Sequence, residues 1–194
     1  MNPEPLNPLN LFLIGYRCTG KTTVGRSLAQ ELCRSFVDTD SLLVTQQRMS
    51  IKEIVDAHGW EGFRGMEHVI LKEVSTSDEQ VVATGGGIVL NDENVMLMKK
   101  SGKIIWLRAR LETVKARMLQ DKSTQDFRPA LTLNDNISEI EETMHSRKPL
   151  YQKAMDLFVD TDDNDIREVT EIILEKIRTM YPKAQSSGPY THKK

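Results

Sequence analysis

Short runs of β-branched and apolar residues alternate along this chain with stretches in which apolar positions recur every three or four residues. The runs are LNLFLIG, SFVD, VVATGGG, KIIWLR and DLFVD. The helical patterns cover residues 21–33, a segment ending at residue 100, residues 111–120 and residues 166–180. Strands that are apolar throughout are buried on both faces, and strands alternating with helices cross over in parallel. The pattern therefore predicts an α/β fold: a five-stranded parallel sheet with helices on both faces.

Two stretches break the alternation. Residues 41–79 read as wholly helical, with Ser50 and Glu53 spaced as a capping box, and form an expected helical substrate-binding lobe inserted into the core. Residues 121–136, DKSTQDFRPALTLNDN, are rich in Pro, Asn, Asp, Ser and Thr between two helical patterns. A loop of that length inside a domain is usually functional, and a mobile lid is expected. Residues 1–9, with three prolines and two asparagines, read as a flexible lead-in, and residues 182–194 as a flexible C-terminal tail. The expectation is one domain over residues 1–181, since 194 residues suffice for one well-buried core.

Composition narrows the partners more than the fold. The chain is 28% charged and 39% hydrophobic with a net charge of -2, an ordinary globular balance with no electrostatic case for nucleic acid. No apolar run reaches membrane-spanning length, and the first residues show no basic region followed by an apolar core, so a cytoplasmic address is expected. Cys18 and Cys33 make neither a disulfide framework nor a metal set, and both are expected to be thiols.

The candidate chemistry begins where the first apolar run ends. Residues 15–22 read GYRCTGKT, the G-x-x-x-x-G-K-T pattern of a phosphate-binding P-loop between a strand and a helix. Gly15 and Gly20 let the backbone curl so that successive N–H groups face one concavity, which binds anions. The helix N-terminus adds its dipole, Lys21 is expected on the β- and γ-phosphates, and Thr22 on Mg²⁺. The expected ATP-binding set is Gly15, Cys18, Thr19, Gly20, Lys21, Thr22 and Thr23, with no separate role for the side chains of Arg17, Cys18 and Thr19.

Four further features carry less specific signals. Asp38-Thr39-Asp40 ends the second strand run; in an extended segment one carboxylate serves Mg²⁺ and the other an acceptor hydroxyl, as ligand or general base. The competing reading is a pair of turn and helix-capping acids. Gly85-Gly86-Gly87 follows the third run at the strand end where open α/β sheets bind ligands, which favours close backbone approach to a substrate over a simple bend. Arg64 on its helix is by itself most simply solvated or paired with Glu61 or Glu67. Arg128 in the presumed lid is placed to stabilise transition-state charge, and Arg147 precedes Pro149, which is expected to end or kink the helix and aim the arginine inward.

Taken in order, GYRCTGKTTVG, FVDTD, GFRGMEH, GGG, FRPAL and RKPLY followed by FVDT resemble the shikimate kinase family of small-metabolite P-loop kinases, over residues 11–161. The resemblance implies a core-plus-lid kinase fold that moves the γ-phosphoryl of ATP to the 3-hydroxyl of shikimate. It places Lys21 and Thr22 on phosphates and Mg²⁺, Asp38 on the metal through water, and Asp40 on the shikimate hydroxyls. Arg64 and Arg147 fall on its carboxylate, and Gly86 and Gly87 approach through backbone N–H. Arg128 becomes the lid arginine and Arg117 lies near the adenine. The chain departs from the commonest family pattern at Arg17-Cys18-Thr19, at Gly65, and in a longer lid.

An anionic polyol needs a cation pair and a hydroxyl acceptor, which two arginines and an aspartate supply. The competing enzyme is another small-metabolite kinase such as a gluconate kinase. A nucleotide-binding regulatory protein without catalysis is the alternative from another class, and retention of Lys21, Thr22, Asp38, Asp40 and Arg128 argues against it. The expected partners are thus the small molecules ATP and shikimate, with Mg²⁺, no nucleic acid and no membrane, on a monomer.

Overall fold

The computed structural model describes residues 9–120 and 137–180. Five strands, β1 (Asn10–Ile14), β2 (Ser35–Asp38), β3 (Gln80–Ala83), β4 (Gly102–Arg108) and β5 (Leu157–Asp160), form one parallel sheet in the order β2-β3-β1-β4-β5. All five coincide with the apolar runs. The central strand β1 is buried at every position because β3 and β4 flank it and helices cover both faces. Its only polar residue, Asn10, is satisfied: its amide donates to the Ser77 carbonyl at 2.6 Å and its Oδ1 accepts from the Gln80 backbone at 3.0 Å.

The helices are α1 (Lys21–Glu31), α2 (Thr39–Gln47), α3 (Ile51–Val74), α4 (Asp92–Ser101), α5 (Leu111–Gln120), α6 (Ile137–Ala154) and α7 (Ile166–Met180). Period-two alternation within β1 sorts its side chains between the layers. Leu11 and Leu13 join Val24 and Leu28 of α1 and Val169 and Ile173 of α7 on one face. Phe12 and Ile14 join Ile54 and Ile70 of α3, Met98 of α4 and Tyr151 of α6 on the other.

The helical lobe is α2 and α3, and the capping box is present: Ser50 Oγ accepts from the Glu53 N–H while the Glu53 carboxylate accepts from the Ser50 N–H. Three local expectations need correction. First, α1 ends at Glu31 rather than residue 33, because Cys33 turns out of the helix at φ 53°. Second, the lobe is not continuous, since Gly59 (φ 68°, ψ 175°) breaks α3 in a conformation only glycine adopts readily. Third, the helix does not end at Pro149, which lies inside α6. The lid, with Phe127, Arg128 and Pro129, lies outside the described residues.

All parallel strands point their C-terminal ends the same way, so the P-loop after β1, Asp38 after β2 and the glycines after β3 share one rim of the sheet. That rim is where ligands bind in open α/β sheets.

Candidate active site

The P-loop is built by two glycines in left-handed conformations, Gly15 (φ 144°) and Gly20 (φ 90°), between β1 and α1. Lys21, the first residue of α1, is buried at 7% exposure. Its ammonium folds back over the loop and donates to the Gly15 and Tyr16 carbonyls, both at 2.8 Å. Beside it Thr22 Oγ1 donates to Asp38 Oδ2 at 2.7 Å. A hydroxyl oxygen and a carboxylate oxygen in contact are the hard-donor pair that suits Mg²⁺, which takes one or two protein oxygens and fills its octahedron with phosphates and water. Among the described residues no group of three or more His, Cys, Asp or Glu gathers for a metal.

The two aspartates are not separated by strand alternation, as an extended D-x-D segment requires. Asp38 ends β2 and caps α2, its Oδ1 accepting from the Ser41 N–H at 3.1 Å, while Thr39 and Asp40 are already helical. The strand-to-helix turn does the separating: Asp38 meets Thr22, and Asp40, at 8% exposure, enters a different cavity. The capping reading and the pairing with Thr22 are both realised in Asp38, one on each oxygen.

That second cavity lies between the P-loop, the lobe and the glycine turn, and it brings Asp40, Arg64, Gly86, Gly87 and Arg147 together with Arg17 and Glu67. The glycines are there because nothing larger fits. A Cβ on Gly87 would overlap the Arg64 guanidinium, and one on Gly85 would overlap Glu67 Oε1 and stand 2.9 Å from Asp40 Oδ1. Arg64 donates to Glu67 Oε2 at 2.6 Å and rests 5.5 Å from the Trp60 ring and 5.1 Å from the Phe63 ring. From α6, Arg147 Nη1 donates to the Gly86 carbonyl at 3.2 Å, and the Tyr151 hydroxyl donates to the same oxygen.

Glu67 is 1% exposed. Burial pushes its carboxyl above the ordinary glutamate value, Arg64 opposes that, and the Asp40 charge adds to it. With the folded value above the unfolded one, its contribution to stability is full at low pH and is lost as pH rises through the folded value. The ionised form therefore depends on Arg64 for compensation. Burial likewise raises the Tyr151 phenol, which stays a hydrogen-bond donor at neutral pH.

On the other side of the P-loop, Cys18, Thr19, Gly20, Thr23 and Arg117 line a cleft closed by Thr161 and the start of α7. Arg117 reaches across from α5, donating to the Cys18 carbonyl at 3.2 Å, to Thr161 Oγ1 at 3.0 Å and to the Thr161 carbonyl. It thereby ties the P-loop to the end of β5. Cys18 holds φ 61°, a left-handed position that non-glycine residues seldom adopt.

A model of the family described as shikimate kinase matches residues 17–178. The chain belongs to the shikimate kinase family. A shikimate kinase of Rhodopirellula baltica is 37% identical over 89% of this chain and 93% of its own length. Shikimate kinase 2 of Escherichia coli is 40% identical over 84% of this chain and 92% of its own. Among solved structures, the shikimate kinase of Acinetobacter baumannii in complex with shikimate superposes with a TM-score of 0.83 at 30% identity, covering 90% of this chain and 96% of that one. A gluconokinase of Sinorhizobium meliloti superposes with a TM-score of 0.57 at 15% identity, a likeness of fold alone.

Membership makes the chain an ATP-dependent kinase and decides between the enzyme and regulatory readings in favour of the enzyme. Of the residues expected from sequence, Asp40, Arg64, Gly86, Gly87 and Arg147 line one cleft and Cys18, Thr19, Gly20, Thr23 and Arg117 the other, Lys21 folds over Gly15, Thr22 meets Asp38, and Arg128 lies outside the described residues. Sequence reasoning missed Arg17, Glu67 and Trp60 as wall residues of the cavity that holds Asp40, Arg64 and Arg147. For Glu67 a signal existed, since it stands three residues after Arg64 on one helix face. For Arg17 the only signal was its departure from the shikimate kinase pattern.

The close approach at Gly87 yields a first prediction. In Gly87→Ala the added methyl displaces the Arg64 guanidinium by about 1 Å, and kcat/KM for the acceptor is expected to fall on the order of a hundredfold while ATP affinity holds. Steady-state kinetics with each substrate varied checks it; an unchanged acceptor constant would mean that Arg64 at this place is not used.

Proposed function

We propose that this chain transfers the γ-phosphoryl of ATP to the 3-hydroxyl of shikimate. The observation that carries the reading is one cavity holding Asp40 beside two arginines, Arg64 and Arg147, across the P-loop from Lys21 and from the Thr22–Asp38 pair. A carboxylate acceptor takes the arginine pair through remaining guanidinium N–H groups, and its hydroxyls turn toward Asp40. The Gly86 and Gly87 N–H groups face the bound acceptor. Lys21 leaves the loop carbonyls for the β- and γ-phosphates, the adenine lies along the cleft at Arg117, and Arg128 closes over the phosphates from the lid at residues 121–136.

Thr22 directly, and Asp38 through water, are the residues that hold Mg²⁺, which supplies charge neutralisation on the phosphates. Phosphoryl transfer asks the protein mainly for positioning and electrostatic stabilisation, and fixed arginines with an oriented aspartate supply both. We read the working unit as one domain over residues 1–181, acting as a cytoplasmic monomer on small molecules only.

A coupled assay with shikimate, with gluconate and with no acceptor tests the activity; turnover with gluconate exceeding that with shikimate overturns it. The arginine roles are tested by Arg64→Lys and Arg147→Lys, which lose planar bidentate geometry but keep the charge. Each is expected to raise the shikimate KM roughly tenfold or more, as charged hydrogen bonds are lost, with the ATP KM nearly unchanged. Normal shikimate binding by calorimetry in both variants would make these arginines structural.

A further inference from the structure

We propose that Tyr151 is a positioning residue for the acceptor: its phenol fixes the Gly86–Gly87 peptide so that the Gly87 N–H is turned into the cavity of Asp40, Arg64 and Arg147. The proposal rests on the reading of that cavity just given, and it assigns work to the tyrosine that closes the RKPLY run.

The glycine turn is pinned from three elements. The Gly85 N–H donates to Thr39 Oγ1 of α2 at 3.2 Å, and the Ile88 carbonyl accepts from Asn94 Nδ2 of α4 at 3.2 Å. The Gly86 carbonyl accepts twice from α6, from the Tyr151 hydroxyl at 2.5 Å and from Arg147 Nη1 at 3.2 Å. This last pair decides how the peptide lies. A trans peptide is planar and points its N–H opposite to its carbonyl, and the described residues contain no cis bond. With the Gly86 oxygen held toward α6, the Gly87 N–H points away from α6, toward the walls that the P-loop and the lobe supply. Among the described residues no protein acceptor meets the Gly86 or the Gly87 N–H, which leaves both donors for a ligand.

Tyr151 is itself held firmly. It is 2% exposed, and its ring stacks on Trp106 with centroids 5.6 Å apart and planes 22° from parallel. Trp106 in turn pairs in register with Ile14, the residue that leads into the P-loop. Burial raises the phenol above the ordinary tyrosine value, so the hydroxyl remains a donor throughout the neutral range. Arg147 alone is a poorer anchor, because its bond is longer and the same guanidinium is the one read as serving the acceptor carboxylate. With the phenol in place the Gly86 carbonyl stays satisfied when Arg147 turns to the acceptor. Without it, one guanidinium must serve both a buried carbonyl and the acceptor, and leaving either short costs affinity.

Tyr151→Phe tests this, since it keeps the ring and its stacking and removes only the hydroxyl. Ile173→Val, in the core layer on the other face of the sheet, serves as a control that lowers stability without touching the turn. Steady-state kinetics with each substrate varied are run on both variants, and the Gly87 amide is followed by NMR as shikimate is added. In Tyr151→Phe the shikimate KM is expected to rise about fivefold or more with the ATP KM unchanged, whereas Ile173→Val moves the melting temperature and neither constant. In the wild type the Gly87 amide proton is expected to move downfield on shikimate binding, and to move less in Tyr151→Phe. A lowered melting temperature in Tyr151→Phe with an unchanged shikimate KM would make the hydroxyl purely structural and overturn the proposal. So would equal losses for shikimate and ATP, or a loss for shikimate with the Gly87 shift kept in full. The wild-type titration carries the test if Tyr151→Phe fails to fold: shikimate that binds without moving the Gly87 amide overturns the proposal and leaves the acceptor reading standing. A wild-type protein that does not bind shikimate overturns the acceptor reading itself, and is seen before any variant is compared.

Discussion

Lys21→Ala is expected to lose at least about a thousandfold in kcat, because it removes the P-loop cation that meets the β- and γ-phosphates as charge develops on them. The structure adds a second consequence. Lys21 also holds the Gly15 and Tyr16 carbonyls at 2.8 Å, closing the loop on itself from within. Truncation leaves both carbonyls short of a charged donor in a buried place, so the loop is expected to open and the melting temperature to fall as well. Lys21→Arg separates the two effects: it restores a donor for the carbonyls but is too long and too broad to repeat the single-point approach of an ammonium to the phosphates. Turnover above about a tenth of the wild-type rate in Lys21→Ala, with shikimate and ATP saturating, would mean that the lysine is a loop clamp and not part of the phosphate site.

The two jobs of Lys21 illustrate where sequence reasoning reached and where it stopped. The five strands, the helical lobe and the P-loop are local matters: apolar runs, a capping box at Ser50 and Glu53, two glycines and a lysine at fixed spacing. Each is written into a few adjacent residues, so each was legible. The cavity proposed to take the acceptor is assembled from segments as far apart as Arg17, Arg64 and Arg147. Their convergence depends on the strand order β2-β3-β1-β4-β5, which places the β2 and β3 ends beside the P-loop and leaves α6 to cover the glycine turn. No short spacing encodes that, and the family resemblance supplied it for Arg64 and Arg147 only. Arg17 has no role in the sequence reading because it stands at a variable loop position, and its place in the lining of this cavity follows from the path of the folded loop.

The same distinction explains why the geometry at Asp38 and Asp40 differs from the strand alternation that their spacing suggests. Alternation along a strand was the simplest way to send two carboxylates i and i+2 to different places. The chain instead changes from strand to helix between them, and a helix start favours an acid in its first turn because the dipole and free N–H groups stabilise its charge. Asp40 thereby enters a cavity where Glu67, a second carboxyl converging on Gly85, is pushed toward its neutral form.

From this follows the expectation for Asp40→Asn, a variant that preserves shape and removes the charge. The amide cannot accept the hydroxyl proton, and its NH₂ turns a donor toward a hydroxyl that needs an acceptor. The transition state of phosphoryl transfer is loose and asks little activation of the nucleophile, so much of the loss arises from misorientation rather than from a missing base. Together these lower kcat for shikimate by about a hundredfold or more. ATP and Mg²⁺ binding are expected to persist, since Asp38 and Thr22, still joined at 2.7 Å, face the other side of the turn. With the Asp40 charge gone, the repulsion that helped raise Glu67 also disappears, and the Glu67 carboxyl is expected to titrate lower than in the wild type. Shikimate phosphorylation and ATP affinity measured on one preparation decide the assignment. Unchanged turnover removes Asp40 from the acceptor site, and a loss of ATP affinity with shikimate binding intact moves it to the metal.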